Sequence, residues 1–188
     1  MTVPNLITLL RILLIPVLIV VYLLPYPWHY TAAALVFGLA GITDWLDGYL
    51  ARRLDQATRL GAFLDPVADK LLVAAAVVLL LHEHHSAWFT LPAVVIIGRE
   101  ILISALREWM AEVNRRGVVR VSSIGKLKTT LQIVSILVLL ANPPIMTQPL
   151  VIVGYVLIYL AAALTLWSMG LYLRAAWPAL RIGVEQTH

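Results

Sequence analysis

Apolar residues occupy six long runs along the chain, and short stretches rich in proline, polar or charged residues separate them. The runs cover residues 6–24, 31–50, 63–81, 88–109, 121–141 and 150–173. Each run has about the 20 residues that a helix needs to cross the hydrocarbon core of a bilayer. The breaks include Pro25-Tyr26-Pro27 and Asn142-Pro143-Pro144, which are typical of turns. The pattern predicts an all-α polytopic membrane protein, a bundle of six transmembrane helices that forms one domain over residues 1–188.

The composition excludes an ordinary soluble domain. Hydrophobic residues make up 61% of the chain and charged residues 13%, whereas soluble proteins have roughly 45–50% and 25%. The chain has no cysteine, and therefore neither disulfides nor thiolate metal ligands. Its net charge of +4 suits contact with anionic lipid headgroups. We expect no nucleic acid partner, because the charges are distributed by membrane side.

The 14 basic residues lie at or near alternate ends of the apolar runs. Eight of them follow the second, fourth and sixth runs, and the other six lie inside runs. The connections at Tyr26, His84 and Pro144 contain no Lys or Arg. Because cytoplasmic loops carry the excess of basic residues, the pattern predicts that both termini are cytoplasmic.

Five of the ten acidic residues lie in the stretch from Asp44 to Asp69, and four of these five have helical spacings. Asp44 and Asp47 are three residues apart at the predicted cytoplasmic end of the second helix, and Asp65 and Asp69 are four apart at the start of the third, so each pair shares a helix face. Solvation among headgroups is the alternative for such acids. Convergence of four carboxylates instead favours binding of divalent cations, and oxygen ligands favour Mg²⁺ or Mn²⁺. Two such ions can clamp a phosphoryl group during displacement.

The carboxylates belong to a longer pattern with fixed spacing. It reads Asp44-x-x-Asp47-Gly48-x-x-Ala51-Arg52, eight residues, Gly61, three residues, Asp65, three residues, Asp69. This pattern resembles the signature of the CDP-alcohol phosphotransferase family. Flanking stretches are similar to bacterial family members that make phosphatidylglycerophosphate, and they include Pro4-Asn5-Leu6-Ile7-Thr8, Arg99-Glu100, Gly125-Lys126-Leu127-Lys128 and Leu164-Thr165-Leu166-Trp167-Ser168-Met169.

The resemblance implies a complete reaction. The donor is CDP-diacylglycerol, the acceptor is sn-glycerol 3-phosphate, and the products are phosphatidylglycerophosphate and CMP. The implied cofactors are Mg²⁺ or Mn²⁺, as two ions. The implied location is the bacterial cytoplasmic (inner) membrane. The four carboxylates lie at the membrane face that carries the basic connections, so the active site is expected on the cytoplasmic side.

The resemblance also implies residue roles. Asp44, Asp47 and Asp65 are expected to bind the metal ions, and Asp69 is expected to lie near the metals and act as general base. The residues expected to contact CDP-diacylglycerol are Gly48, Ala51, Arg52, Gly61, Asn5 and Thr8. For the small residues helix packing is the alternative, and for Arg52 it is anchoring at headgroups.

The acceptor carries a phosphate of its own, so a second cationic pocket is expected. Its candidates are Arg11, Arg99, Arg107, Lys126 and Lys128. Arg99 could instead form an internal ion pair with an acidic neighbour, and Arg11 could extend its side chain toward the membrane surface.

Other functions remain open from the residues alone. Within the family, another acceptor is the main alternative, for example in a cardiolipin synthase that takes phosphatidylglycerol. A cation transporter would normally place its acids near the bilayer midplane and show repeats, which this sequence lacks. The stretch His82-Glu83-His84-His85 lacks the H-E-x-x-H spacing of a zinc site and is not expected to be a catalytic metal site. A homodimer is left open.

Overall fold

The computed structural model is helical apart from short connections in the part of the chain that it describes. It describes the backbone of residues 3–54, 59–112 and 123–185, and the side chains of residues 5–43, 61, 63–106, 108–110, 127–174 and 177. The helices are α1 (Val3–Tyr22), α2 (His29–Leu54), α3 (Arg59–His84), α4 (Ala87–Glu112), α5 (Ser123–Leu140) and α6 (Pro149–Glu185). Over these ranges the prediction of an all-α chain with six helices is confirmed.

Four of the helices, α2, α3, α4 and α6, extend beyond both ends of the apolar runs that predicted them. The second run ends at residue 50 but α2 continues to Leu54, and the sixth run ends at residue 173 but α6 continues to Glu185. Helical hydrogen bonds do not require apolar side chains, and Arg, Leu and Ala are strong helix formers. Hydropathy therefore located the apolar part of each helix and not its end.

Three helices contain stretches that are long and apolar enough to cross a membrane, within the described residues. These stretches are Asn5–Tyr22, Ala87–Met110 and Pro149–Arg174, and shorter apolar stretches cover His29–Thr43 and Leu127–Leu140. Many large apolar side chains on these helices face outward, and Leu13, Val20 and Trp167 are each more than half exposed. Apolar outer surfaces of this extent suit lipid and not water.

The chain forms two compact units. The first contains Met1–Ser86 and Ser135–Gly154, and the second contains Ala87–Val134 and Tyr155–His188. A single domain over residues 1–188 stays a prediction.

In the first unit, α1 packs against both α2 and α3. Its buried side chains are Thr8, Arg11, Leu18 and Tyr22, whose spacings of three, seven and four residues define one face of the helix. The polar members of this face lie toward the N-terminal end of α1, and the apolar members lie toward its C-terminal end.

Also in the first unit, α5 and the start of α6 approach closely at a glycine. Ser135 Oγ donates a hydrogen bond of 2.7 Å to the carbonyl oxygen of Gly154. A Cβ atom added at Gly154 would lie 2.6 Å from Cδ2 of Leu139, whose side chain is fully buried. Small residues at such contacts let two helix backbones approach in apolar surroundings.

In the second unit, the start of α4 packs against α6. The rings of Phe89 and Tyr155 meet edge to face with centroids 5.9 Å apart. The hydroxyl of Tyr159 donates a 2.7 Å hydrogen bond to the carbonyl oxygen of Trp88.

Candidate active site

The N-terminal part of α3 presents two carboxylates on one face. Asp65 and Asp69 are four residues apart, so they lie about one turn apart on the helix, and both are half-buried. Gly61, one turn before Asp65, is buried, and Ala68 between the two acids is fully buried. The carboxylates therefore lie at the border between the packed interior and open space, where a polar ligand can reach them.

The polar end of α1 binds both carboxylates directly. Thr8 Oγ1 donates a 2.7 Å hydrogen bond to Oδ1 of Asp65. Arg11 Nη1 donates a 2.6 Å hydrogen bond to Oδ1 of Asp69 and forms an ion pair with it. The Arg11 side chain is fully buried, whereas the side chain of Asp69 is 48% exposed. Each carboxylate is thus held from behind by a buried donor.

The other half of the predicted signature lies on α2. The helix runs through Asp44, Asp47, Gly48, Ala51 and Arg52, but their side chains lie outside the described residues. Their helical spacing places Asp44 and Asp47 on one face. Convergence of all four carboxylates stays a prediction, and so do the donor contacts expected of Gly48, Ala51 and Arg52.

The described part of the site fits a hard divalent cation in its chemistry. Asp65 and Asp69 supply carboxylate oxygens, and the chain has no cysteine to favour a softer metal. Among the described side chains, no three His, Asp or Glu residues form a complete metal-binding group. A divalent cation held by the two carboxylates of α3 would need further oxygen ligands, and the sequence prediction assigns that role to Asp44 and Asp47.

Two basic residues of the second unit have a buried donor atom that lacks a hydrogen-bond partner among the described groups. Lys128 on α5 is 4% exposed, and its Nζ has no hydrogen-bond partner among the described groups. Arg99 on α4 pairs with its neighbour Glu100, yet its Nε also lacks a partner in the described part. A buried donor atom without an acceptor is costly, so an anion would be stabilised beside Lys128 Nζ and beside Arg99 Nε.

The sequence also predicted that three further residues contact the substrates. Arg107 and Lys126 lie on α4 and α5, but their side chains are outside the described set. Asn5 lies one turn before Thr8 and is half-buried. The roles predicted for these three residues stay predictions.

The far end of the first unit has a polar cluster of its own. Tyr30 donates a 2.8 Å hydrogen bond to Oε1 of Glu83. A 2.6 Å hydrogen bond joins Nδ1 of His29 to the carbonyl oxygen of Tyr22. Burial lowers the pKa of His84, although the neighbouring Glu83 acts in the opposite direction. The hydrogen bond between Tyr30 and Glu83 therefore joins α2 to α3.

Several of these contacts were not anticipated from the sequence. The pairing of Thr8 and Arg11 with the α3 carboxylates is the most important. Its trace in the sequence is the three-residue spacing of Thr8 and Arg11, which does not show which helix they contact. The burial of Gln132 was not anticipated either. Gln132 is 8% exposed and lies one turn after Lys128, so it extends the buried polar face of α5.

Comparison with known proteins identifies the family to which the sequence is similar. The profile of the CDP-alcohol phosphatidyltransferase family matches residues 1–167. The chain is 59% identical over 182 residues to a CDP-diacylglycerol–glycerol-3-phosphate 3-phosphatidyltransferase of Pseudomonas fluorescens, which covers 96% of this chain and 93% of the relative. It is 56% identical over 174 residues to proteins of the same name from Salmonella choleraesuis and Shigella flexneri, covering 93% of this chain and 94% of each relative. The family resemblance seen in the signature is thereby confirmed.

Proposed function

The chain belongs to the CDP-alcohol phosphatidyltransferase family, and on that premise we propose that it transfers the phosphatidyl group of CDP-diacylglycerol to sn-glycerol 3-phosphate. The products are phosphatidylglycerophosphate and CMP, so the protein acts in phospholipid biosynthesis. The observation that carries this proposal is an identity of 56–59% to 3-phosphatidyltransferases across more than nine-tenths of the chain.

The reaction is an in-line displacement at a phosphorus atom. The 1-hydroxyl of the acceptor attacks the phosphorus that carries diacylglycerol, and the bond to the CMP oxygen breaks. The protein must orient the hydroxyl, neutralise the diphosphate and accept the hydroxyl proton. The carboxylates of α2 and α3 would hold the metal ions that neutralise the diphosphate, and one of these carboxylates accepts the proton.

Asp44, Asp47 and Asp65 would hold two Mg²⁺ or Mn²⁺ ions, with Asp69 beside them. When bound, the metals neutralise negative charge on the diphosphate. Support comes from the outward-facing carboxylates of Asp65 and Asp69, which buried donors hold in place.

Asp69 acts as the general base and receives the proton of the attacking hydroxyl. Its side chain is the partly exposed member of its ion pair, so a substrate can reach it. The nucleotide lies along α2 and α3, where Gly48, Ala51 and Gly61 leave room for it and Arg52 binds a phosphate oxygen. Gly61 is buried on the same face of α3 as the carboxylates.

The phosphate of the acceptor binds to basic residues of α4 and α5. Lys128 and Arg99 are the best supported, because each has a buried donor that lacks a partner among the described groups. Arg107 and Lys126 flank them in sequence and add positive charge. Arg11 and Thr8 were also expected to contact substrates. In the structure they bind Asp69 and Asp65, and these bonds would compete with contacts to a substrate.

The six helices all cross the bacterial cytoplasmic membrane, and both termini face the cytoplasm. Support comes from the three described stretches that are long and apolar enough to span, together with the basic residues at alternate connections. The active site then faces the cytoplasm, where sn-glycerol 3-phosphate and CMP exchange with water.

The experiment is an acceptor panel with the purified full chain in lipid nanodiscs that contain CDP-diacylglycerol. CMP release and the lipid formed are measured with sn-glycerol 3-phosphate, phosphatidylglycerol and inositol, each with Mg²⁺, with Mn²⁺ and with EDTA. The expected result is metal-dependent CMP release and phosphatidylglycerophosphate with sn-glycerol 3-phosphate alone. Equal turnover with phosphatidylglycerol or inositol would contradict the acceptor assignment.

A further inference from the structure

One face of α1 carries two hydrogen-bond donors in register with two carboxylates of α3. Thr8 and Arg11 are three residues apart and Asp65 and Asp69 are four apart, so each spacing is close to one helical turn. The bonds they form are 2.7 Å and 2.6 Å long. Two neighbouring pairs of this kind fix both the rotation and the height of α1 relative to α3.

Both donors are enclosed, whereas the acceptors reach open space. Thr8 is 1% exposed and Arg11 is 0% exposed. A substrate can therefore approach the carboxylates from the exposed side, while the donors remain behind them. Buried donors such as Thr8 and Arg11 can orient the side chain of a metal ligand, but they cannot easily touch a substrate.

We propose that Thr8 and Arg11 are positioning residues, which hold the carboxylates of Asp65 and Asp69 in the orientation that metal binding and proton transfer require. This inference rests on the proposed function, because that function assigns those carboxylates to the metal ions and to the base. Thr8 fixes the rotamer of Asp65 through Oδ1. Arg11 does the same for Asp69 and also compensates its negative charge.

Thr8 gives the cleaner test, because its side chain is uncharged and its replacement leaves the local charge unchanged. Thr8→Val keeps the shape of the side chain but removes the donor, and Thr8→Ser keeps the donor. Leu18→Ala is the matched control, because Leu18 is fully buried on the same face of α1 and has no polar role. All three variants are compared as full chains in detergent.

The readout is the affinity for Mn²⁺ in the absence of any substrate. Electron paramagnetic resonance measures the concentration of the free ion. Thr8→Val is expected to weaken binding by about 10-fold, as is usual when a group that orients a metal ligand is lost. Thr8→Ser is expected to bind like the unchanged chain, and Leu18→Ala is expected to lower Tm without weakening Mn²⁺ binding. Unchanged binding by Thr8→Val would overturn the proposal, as would equal weakening in Leu18→Ala.

Arg11 is tested by Arg11→Lys, which keeps the charge but loses the planar array of donors. A positioning role predicts a fall in kcat of about 10-fold with the KM for sn-glycerol 3-phosphate unchanged. A raised KM with unchanged kcat would instead make Arg11 a contact of the acceptor phosphate and would overturn its positioning role. If the unchanged chain binds Mn²⁺ but releases no CMP with sn-glycerol 3-phosphate, the proposed function fails, and the Thr8 variants still decide the positioning role.

Discussion

Arg11 has a fully buried side chain on a helix that is otherwise almost entirely apolar. A charged residue at the centre of a membrane helix costs about 2.5–3.5 kcal/mol on insertion scales. The ion pair with Asp69 offsets this cost and gives the arginine a defined partner. The candidate base is therefore also part of what stabilises α1 in place.

Replacement of Asp69 by Asn should abolish the chemical step more than it affects metal binding. The amide oxygen can still accept the hydrogen bond from Arg11, but it cannot take a proton, so turnover is expected to fall by about 10²–10⁴-fold. CMP release and substrate-free Mn²⁺ binding are measured side by side. Asp44→Asn serves as the comparison, because loss of a metal ligand should weaken Mn²⁺ binding itself. Near-normal turnover of Asp69→Asn would remove Asp69 as the base.

His85 directly follows α3 and has a left-handed backbone conformation, with φ of 42°. This conformation is strained for residues with a side chain but not for glycine, so His85→Gly should raise stability by about 0.5–1 kcal/mol. His82→Gly is the matched control, since His82 lies inside the helix, where glycine should destabilise by about 1 kcal/mol. The rings of His82 and His85 contact each other, so both variants lose the same contact.

Thermal unfolding of the two variants in detergent, followed by circular dichroism, provides the measurement. The expected result is opposite shifts in Tm. A fall in Tm for both variants would mean that the contact between the two rings outweighs the backbone strain.

The sequence singled out the carboxylates of α3 but not the residues of α1 that bind them. Asp65 and Asp69 stand out because acids are rare in this chain and their spacing is regular. The hydrogen bond of Thr8 to Asp65 joins residues 57 positions apart, and it depends on how α1 packs against α3. On α1, apolar residues surround the buried face on all sides, so no contrast between polar and apolar faces shows which side is packed.

At the scale of the helices, the apolar runs of the sequence predicted where each helix lies along the chain. They did not predict which helices contact each other. The C-terminal extension of α6 beyond residue 173 has too many charges to be recognised as part of an apolar run. Close packing of α5 and α6 at Gly154 depends on the single side chain of Leu139. Glycines with open space around them, such as Gly41 and Gly170, look the same in the sequence.

Gly154→Ala should destabilise the contact between α5 and α6. The added methyl group would meet the buried Leu139, and overpacking of this kind costs about 1–3 kcal/mol. Gly170→Ala in the same helix is the control, because nothing lies within 4 Å of its added Cβ, and it should stabilise by about 0.5–1 kcal/mol. Unfolding in denaturant measures both variants.

A double variant tests the cause of the effect. Leu139→Ala should make Gly154→Ala less harmful, because it removes the atoms that the new methyl group meets. Equal stability of Gly154→Ala and Gly170→Ala would contradict the close contact.

For the whole molecule, the distribution of charge predicts which side of the membrane each connection faces. Because the chain has no cysteine, single cysteines can be introduced at Gln56 and at Ser86 without background. A membrane-impermeant thiol reagent is applied to intact cells whose outer envelope is permeabilised. Labelling at Ser86 and none at Gln56 is expected, since Gln56 belongs to the basic connection beside the carboxylate signature.

The opposite labelling pattern would invert the topology. The site would then face away from the cytoplasm, and the account of how sn-glycerol 3-phosphate reaches it would fail. Labelling after detergent lysis is the control, because it shows that both cysteines are accessible to the reagent.

The pairing of Arg11 with Asp69 also has a consequence for biosynthesis. The two residues are 58 positions apart, so at about 5–20 residues per second the ribosome needs about 3–12 s to make the second after the first. Throughout that interval α1 contains an arginine without its counter-ion, and the side chain is expected to reach toward the headgroups and hold the helix at a shallow depth. A chain truncated before α3 should retain this shallow position, which glycosylation mapping measures. The first helix to be synthesised would then reach its final depth only when α3, the helix with the candidate base, enters the membrane.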